Sequence, residues 1–190
     1  PAAASGLNAW VTSLTGSYNV SENSYLESPC FDFSQLSADP AIEISINRAM
    51  QQDFDGSWLE MSLDGGQNWE KVGEVGEGKN WYTGTIDFLG LTDAWSGNSD
   101  GWINARHSLP NSAGESEVHL RFAFASSPFF NGGGFGVDDV HILASLNKDL
   151  GGLSMSTLGE VAECGLENDQ IIFNFANFGN QPQSGYKIGY

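Results

Sequence analysis

An all-β fold, a sandwich of short antiparallel strands, is what this chain predicts, and three observations carry the prediction. Apolar and polar residues alternate with period two in several windows. No window repeats apolar residues at i, i+3, i+4 and i+7 over a helical length, and glycine-bearing turns punctuate the gaps. Such alternation is what a strand with one dry and one wet face requires.

The elements follow in chain order. Residues 10–14 and 25–33 are expected as the first, weakly patterned strands. In 41–50, Ile42, Ile44 and Ile46 share one face while Glu43, Ser45 and Asn47 share the other. In 58–63, Leu59, Met61 and Leu63 alternate with Trp58, Glu60 and Ser62. Residues 69–75, 81–88 and 102–107 are further candidates. In 117–125, Val118, Leu120, Phe122 and Phe124 point one way, with His119 and Arg121 opposite, and 135–143 closes the set. Asp55-Gly56, Asp64-Gly65-Gly66, Gly76-Glu77-Gly78 and Asn131-Gly132-Gly133-Gly134 supply turns between them. About nine short strands in roughly 145 residues read as a β-sandwich.

A polar, glycine-containing joint is expected near 145–152, dividing the chain into residues 1–146 and 147–190. Beyond it, 153–158 and 171–178 read as strands, the latter with Ile171, Phe173 and Phe175 alternating against Ile172, Asn174 and Ala176. A tail of about 40 residues is below the size at which a lone core is self-sufficient. It is expected to begin a second small sandwich or to pack on the first. No basic, apolar leader is visible at the start, so the chain reads as a mature form or as a piece of something longer.

Composition excludes several partners. The 24 Asp and Glu against 7 Lys and Arg give a net charge of −17. Residues 1–146 carry 19 of the acids and 5 of the bases, so the acidity belongs to the larger part. A chain this acidic repels phosphate backbones and anionic headgroups, which argues against nucleic acid and membrane surfaces as partners. No run of 18 apolar residues occurs, so no membrane insertion is expected. Cys30 and Cys164 have no second Cys or His at ligand spacing, and whether they pair stays open.

Several segments together carry a family resemblance. They are Asn23 to Asp32, the run from Asp55 to Trp69, Trp95-Ser96-Gly97 with Gly101-Trp102, and Leu120-Arg121-Phe122. Gly134-Phe135-Gly136-Val137-Asp138-Asp139-Val140-His141-Ile142 follows them. In that order they resemble MAM-like jelly-roll domains of secreted or cell-surface bacterial multidomain proteins exported by the type IX system. The tail, with Cys164-Gly165-Leu166 and Phe175 to Pro182, resembles the opening of an immunoglobulin-like adhesion module. The resemblance implies a jelly-roll β-sandwich followed by a partial immunoglobulin-like β segment. It also implies a non-catalytic extracellular module joined to neighbouring domains of a longer chain, but no particular ligand; a glycan or cell-surface protein is the partner expected here. A structural spacer or filament subunit of a large adhesin, and an accessory domain of a secreted protease or glycoside hydrolase, are the alternatives.

Chemistry-bearing residues are few. Ser62-Leu63-Asp64-Gly65-Gly66-Gln67-Asn68-Trp69 also matches the Ser-x-Asp-x-Gly-x-x-Trp box of sialidase propellers. It occurs once, without a blade-length repeat, and reads as a hairpin turn with Asp64 accepting the turn's own amides, Gly66 at positive φ and Trp69 packing back. Asp138 and Asp139 are adjacent in a strand, so one of them is expected to face the interior. A buried carboxylate needs a partner, and structural Ca²⁺ is the cofactor expected here, with Glu27, Asn8 or Asp32 completing the shell. MAM-like domains, by the same resemblance, often carry such an ion near their termini. A carboxylate capping a turn or pairing with Arg121 is the competing reading. Asp53, Asp55 and Asp100 lack the EF-hand spacing. His119 and His141 sit opposite the apolar residues of their strands, and no zinc-hydrolase motif or nucleophile elbow appears. No enzyme is expected. The aromatics are the remaining lead: Trp81, Tyr82 and Trp95, with Phe129 and Phe130, are candidates for a platform on which sugar rings stack.

Overall fold

The computed structural model describes residues 2–90, 92–144, 150–158, 170–177 and 184. Its strands are β1 (Trp10–Val11), β2 (Asn23–Glu27), β3 (Ala41–Ala49), β4 (Gly56–Ser62), β5 (Glu70–Lys71) and β6 (Gly84–Ile86). They continue with β7 (Thr92–Ala94), β8 (Ile103–Ser108), β9 (His119–Ala125), β10 (Gly134–Leu143), β11 (Leu150–Leu158) and β12 (Gln170–Asn177). The described residues contain no α-helix; one 3₁₀ turn spans Asp87–Leu89. The all-β expectation is met.

Two four-stranded antiparallel sheets carry the fold, in the orders β1-β10-β3-β8 (sheet A) and β2-β9-β4-β5 (sheet B). The chain alternates between them, so β1, β3, β8 and β10 fall in sheet A and β2, β4, β9 in sheet B. The β4–β5 hairpin stays within sheet B, and β6–β7 and β11–β12 form separate antiparallel pairs. The expected joint falls largely on residues outside those described, as does Cys164.

Alternation sets the inner faces as the sequence requires. Ile42, Ile44 and Ile46 from β3, Leu59 and Met61 from β4, Leu120 and Phe124 from β9 and Val137 from β10 join one buried cluster drawn from both sheets. Removing each such side chain from water contributes about 1.5–3 kcal/mol.

Three local departures bear on function. β5 is two residues long rather than seven, because Gly73 at φ +75 turns the chain where a Cβ would meet the Trp81 indole nitrogen and His107. Between 81 and 88 the backbone enters a strand only at Gly84, with Tyr82 at φ +38. Third, β10 carries a bulge between Asp138 and His141: Asp138 pairs with Ser45 and His141 with Glu43, so one extra residue is accommodated, with Asp139 at φ +47.

The segment preceding β1 is strapped over the outer face of sheet A. The Ala4 and Ser5 amides donate to Asp138 Oδ2 at 2.9 and 3.2 Å, and the Trp102 indole N–H donates to the Ala2 carbonyl at 2.8 Å. A Cβ on Gly136 would lie 3.1 Å from the Trp102 ring, so glycine is what lets that indole lie on the sheet. The outer face of sheet B carries no such cover from residues 2–5.

Candidate ligand-binding face

The aromatics expected as a platform are core residues. Trp81, Tyr82 and Trp95 are 2, 4 and 0 % exposed. Trp95 meets Trp81 and Tyr82 edge-on at 4.7 and 5.0 Å and stacks on Phe135 at 5.7 Å. Their polar atoms close backbone accounts in an irregular stretch: Trp81 Nε1 donates to the Val72 carbonyl, Trp95 Nε1 to Asn80 and the Tyr82 hydroxyl to Val72. Burial raises the Tyr82 hydroxyl well above its ordinary pKa. None of the three rings has a face to offer a sugar. Phe129 and Phe130 do reach solvent, and Phe130 tilts against Phe54 at 6.5 Å in a loop cluster at one end of the sandwich.

The acidic set is likewise separated. Asp138 pairs with Ser45 and Asp139 accepts from the Ser45 hydroxyl at 3.3 Å, so both carboxylates lie on the side of sheet A away from the core, with Asp138 nonetheless buried beneath residues 4 and 5. The bulge breaks the alternation on which the expectation rested. Asp138 accepts the Ala4, Ser5 and Asp139 amides, and these bonds hold its carboxyl below the usual range. Asp139 also accepts from the Ser5 hydroxyl. Glu27 is on sheet B, where its Oε1 lies 3.6 Å from His119 Nδ1. Asp32 accepts the Ser34 amide in a local turn. Among the described residues no three Asp, Glu, His or Cys side chains converge on a metal-sized site. Asp138 and Asp139 on sheet A and Glu27 on sheet B therefore do not come together in one site. Amides and hydroxyls partner the two aspartates instead, and Arg121 pairs elsewhere.

The residues that do converge lie on the outer face of sheet B, on two adjacent rungs. Tyr25, Ala123 and Trp58 are in register across β2, β9 and β4, and so are Glu27, Arg121 and Glu60. Ala123 lies buried between the two rings. Tyr25 is 63 % exposed and Trp58 half-buried. Arg121 Nε donates to Glu60 Oε2 at 2.5 Å, and Trp58 Nε1 donates to Glu60 Oε1 at 2.8 Å. The guanidinium lies 4.1 Å from the Trp69 ring centroid and 5.0 Å from that of Tyr25. Cation–π contact and a charge-assisted bond together fix its orientation.

Trp69 arrives there through the turn after β4. Asp64 Oδ1 accepts the Ser62 hydroxyl and the Gln67 and Asn68 amides, and its Oδ2 accepts Asn68 Nδ2. The Asn68 amide first, then the Ser62 hydroxyl and Asn68 side chain, hold the Asp64 carboxyl down to about 2. Gly65 and Gly66 take φ of +70 and +87, and Trp69 Nε1 closes on the Gly66 carbonyl at 3.0 Å. The box is a turn, as expected, and its Trp is delivered to Arg121.

This face was not singled out by sequence reasoning. Its signal was a tryptophan, an arginine and a glutamate on the wet side of alternating strands, where solvent-facing side chains needed no other explanation. No protein-family model matches the chain, and no curated protein matches it.

Proposed function

We propose that this chain is a non-catalytic, extracellular binding module of jelly-roll form that engages glycans through the outer face of sheet B. The observation that carries the reading is the exposed Tyr25 ring, held in register with Trp58 beside the fixed Arg121–Glu60 pair. Ring faces supply apolar contact for the C–H faces of a sugar, and a preoriented guanidinium and carboxylates can read its hydroxyls. A sheet presents them more rigidly than a loop does. The sheet orders β1-β10-β3-β8 and β2-β9-β4-β5 support the jelly-roll form, because consecutive strands cross between sheets as in two Greek keys. The MAM-like resemblance supports the adhesive, multidomain setting.

Affinity electrophoresis of the protein through gels containing neutral plant or bacterial polysaccharides tests the reading. Retardation is expected with at least one polymer, and Tyr25→Ala is expected to weaken it about tenfold while the melting temperature stays unchanged. Uniform silence across the panel, or full retardation of the Tyr25→Ala protein, overturns it.

A further inference from the structure

A second surface lies on the open side of the sandwich, where the edge strands β1 and β2 face one another. Two adjoining cavities of about 310 and 300 Å³ form a groove, and Trp10, Leu26, Phe122 and Val137 line both. Its floor is core: Phe124 and Phe135 at one end, Ile42 and Leu120 at the other. The groove exists because β1 is short. It pairs with Gly136 and Val137 alone, while β10 runs on to Leu143 with no other described strand on that side. Opposite, β2 is the last strand of sheet B. Two backbone edges with unused pairing capacity therefore flank an apolar trench, a combination that native sheets ordinarily cover.

The charged residues that line it have one sign, although Glu27 also lies 3.6 Å from His119 Nδ1. Glu22 lines one end and Glu27 the other, and no Lys, Arg or His lines either cavity. Glu22, just before β2, and Glu27, its last residue, are five positions apart, about 16 Å at strand rise. The whole chain carries −17, so a second copy or an anionic lipid surface would be repelled.

We propose that this groove docks an extended cationic segment of a partner protein, added as a strand at the free edge. Alternate apolar side chains would enter the trench, and the basic side chains between them would face the carboxylates of Glu22 and Glu27 at its ends. The inference is independent of the glycan reading. Tyr25 and Glu27 border both surfaces and are left out of the test.

The test is fluorescence anisotropy of labelled peptides of about seven residues, long enough to span the groove, against the full chain. One peptide alternates valine with lysine, the other valine with glutamate. Saturable binding of the lysine peptide is expected, at least about tenfold tighter than that of its glutamate counterpart. Leu26→Lys is expected to weaken it about tenfold, and Glu22→Gln several-fold. Raising NaCl from about 0.05 to about 0.5 M should weaken it as well. Unchanged melting temperatures and unchanged polysaccharide retardation of both variants would separate loss of the groove from loss of the fold or of the sheet-B face. Equal binding of the two peptides, absence of saturable binding, or indifference to Leu26→Lys overturns the proposal. So does concentration-dependent self-association that Leu26→Lys abolishes, which would make a second copy the occupant.

Discussion

Replacing Trp95 by alanine empties the centre of the aromatic cluster. The ring is fully buried and touches Trp81, Tyr82 and Phe135 at centroid distances of 4.7, 5.0 and 5.7 Å. A buried Trp removes about 150–250 Å² from water, which at about 25 cal/mol per Å² corresponds to roughly 4–6 kcal/mol. The alanine methyl retains part of that, and partial collapse of the cavity recovers more. The acceptor left behind, the carbonyl of exposed Asn80, can turn to water and adds little. The expected loss is therefore about 4 kcal/mol, within the range for Trp-to-Ala changes in cores. In a chain of this size it lowers the melting temperature by about 8–16 °C. Urea unfolding followed by circular dichroism measures it, with an unchanged m-value as the sign that the unfolded state is unaltered. Phe129→Ala, at a ring 77 % exposed, is the control and is expected within about 0.5 kcal/mol of wild type. A loss below about 1.5 kcal/mol for Trp95→Ala would refute the packing argument. Loss of ligand binding in that variant would report unfolding rather than a lost contact.

Two further predictions follow from buried and turn carboxylates. Asp55 is fully buried and accepts the Tyr18 hydroxyl and the Ser127 amide, both at 2.5 Å, which joins three loops. Burial first, and then Asp55, raise the Tyr18 pKa. A double-mutant cycle of Tyr18→Phe and Asp55→Ala is expected to give a coupling of about 1.5–3 kcal/mol in urea unfolding, and additive effects would refute the pairing. The Asp64 carboxyl, followed by carbon NMR, is expected to titrate near about 2. Because that value is depressed, its contribution to stability is complete above the unfolded carboxyl value of about 3.9 and is lost as pH falls through about 2. Asp138 shifts in the same direction. A midpoint for Asp64 near about 3.9 would contradict the turn's hydrogen bonding.

Strand faces were readable where one residue alternated with its neighbour without interruption. Ile42, Ile44 and Ile46 are fully buried for that reason, and Trp58 and Glu60 lie on the other side of β4 from Leu59 and Met61. Alternation failed at Asp138-Asp139, because a bulge adds a residue and nothing in the local pattern announces it. β7 went unanticipated, since Thr92-Asp93-Ala94 is too short to show a period. The aromatic segment misled for a different reason. Trp81, Tyr82 and Trp95 sit in irregular backbone, where period-two reasoning does not apply, and long-range carbonyls such as that of Val72 draw their polar atoms inward. The sheet-B face is a cross-strand object. Tyr25, Arg121 and Trp58 meet through strand register, and register links positions nearly a hundred residues apart that no local window contains.

The strap of residues 2–5 over sheet A has a practical corollary for surface work. An anchor attached at the start of the polypeptide emerges on the side bearing Asp138 and Trp102, with the other layer of the sandwich between it and Tyr25. Immobilised that way, the protein presents its tyrosine-bearing side outward, so polysaccharide binding at that side can be assayed on chips or beads without the support obstructing it.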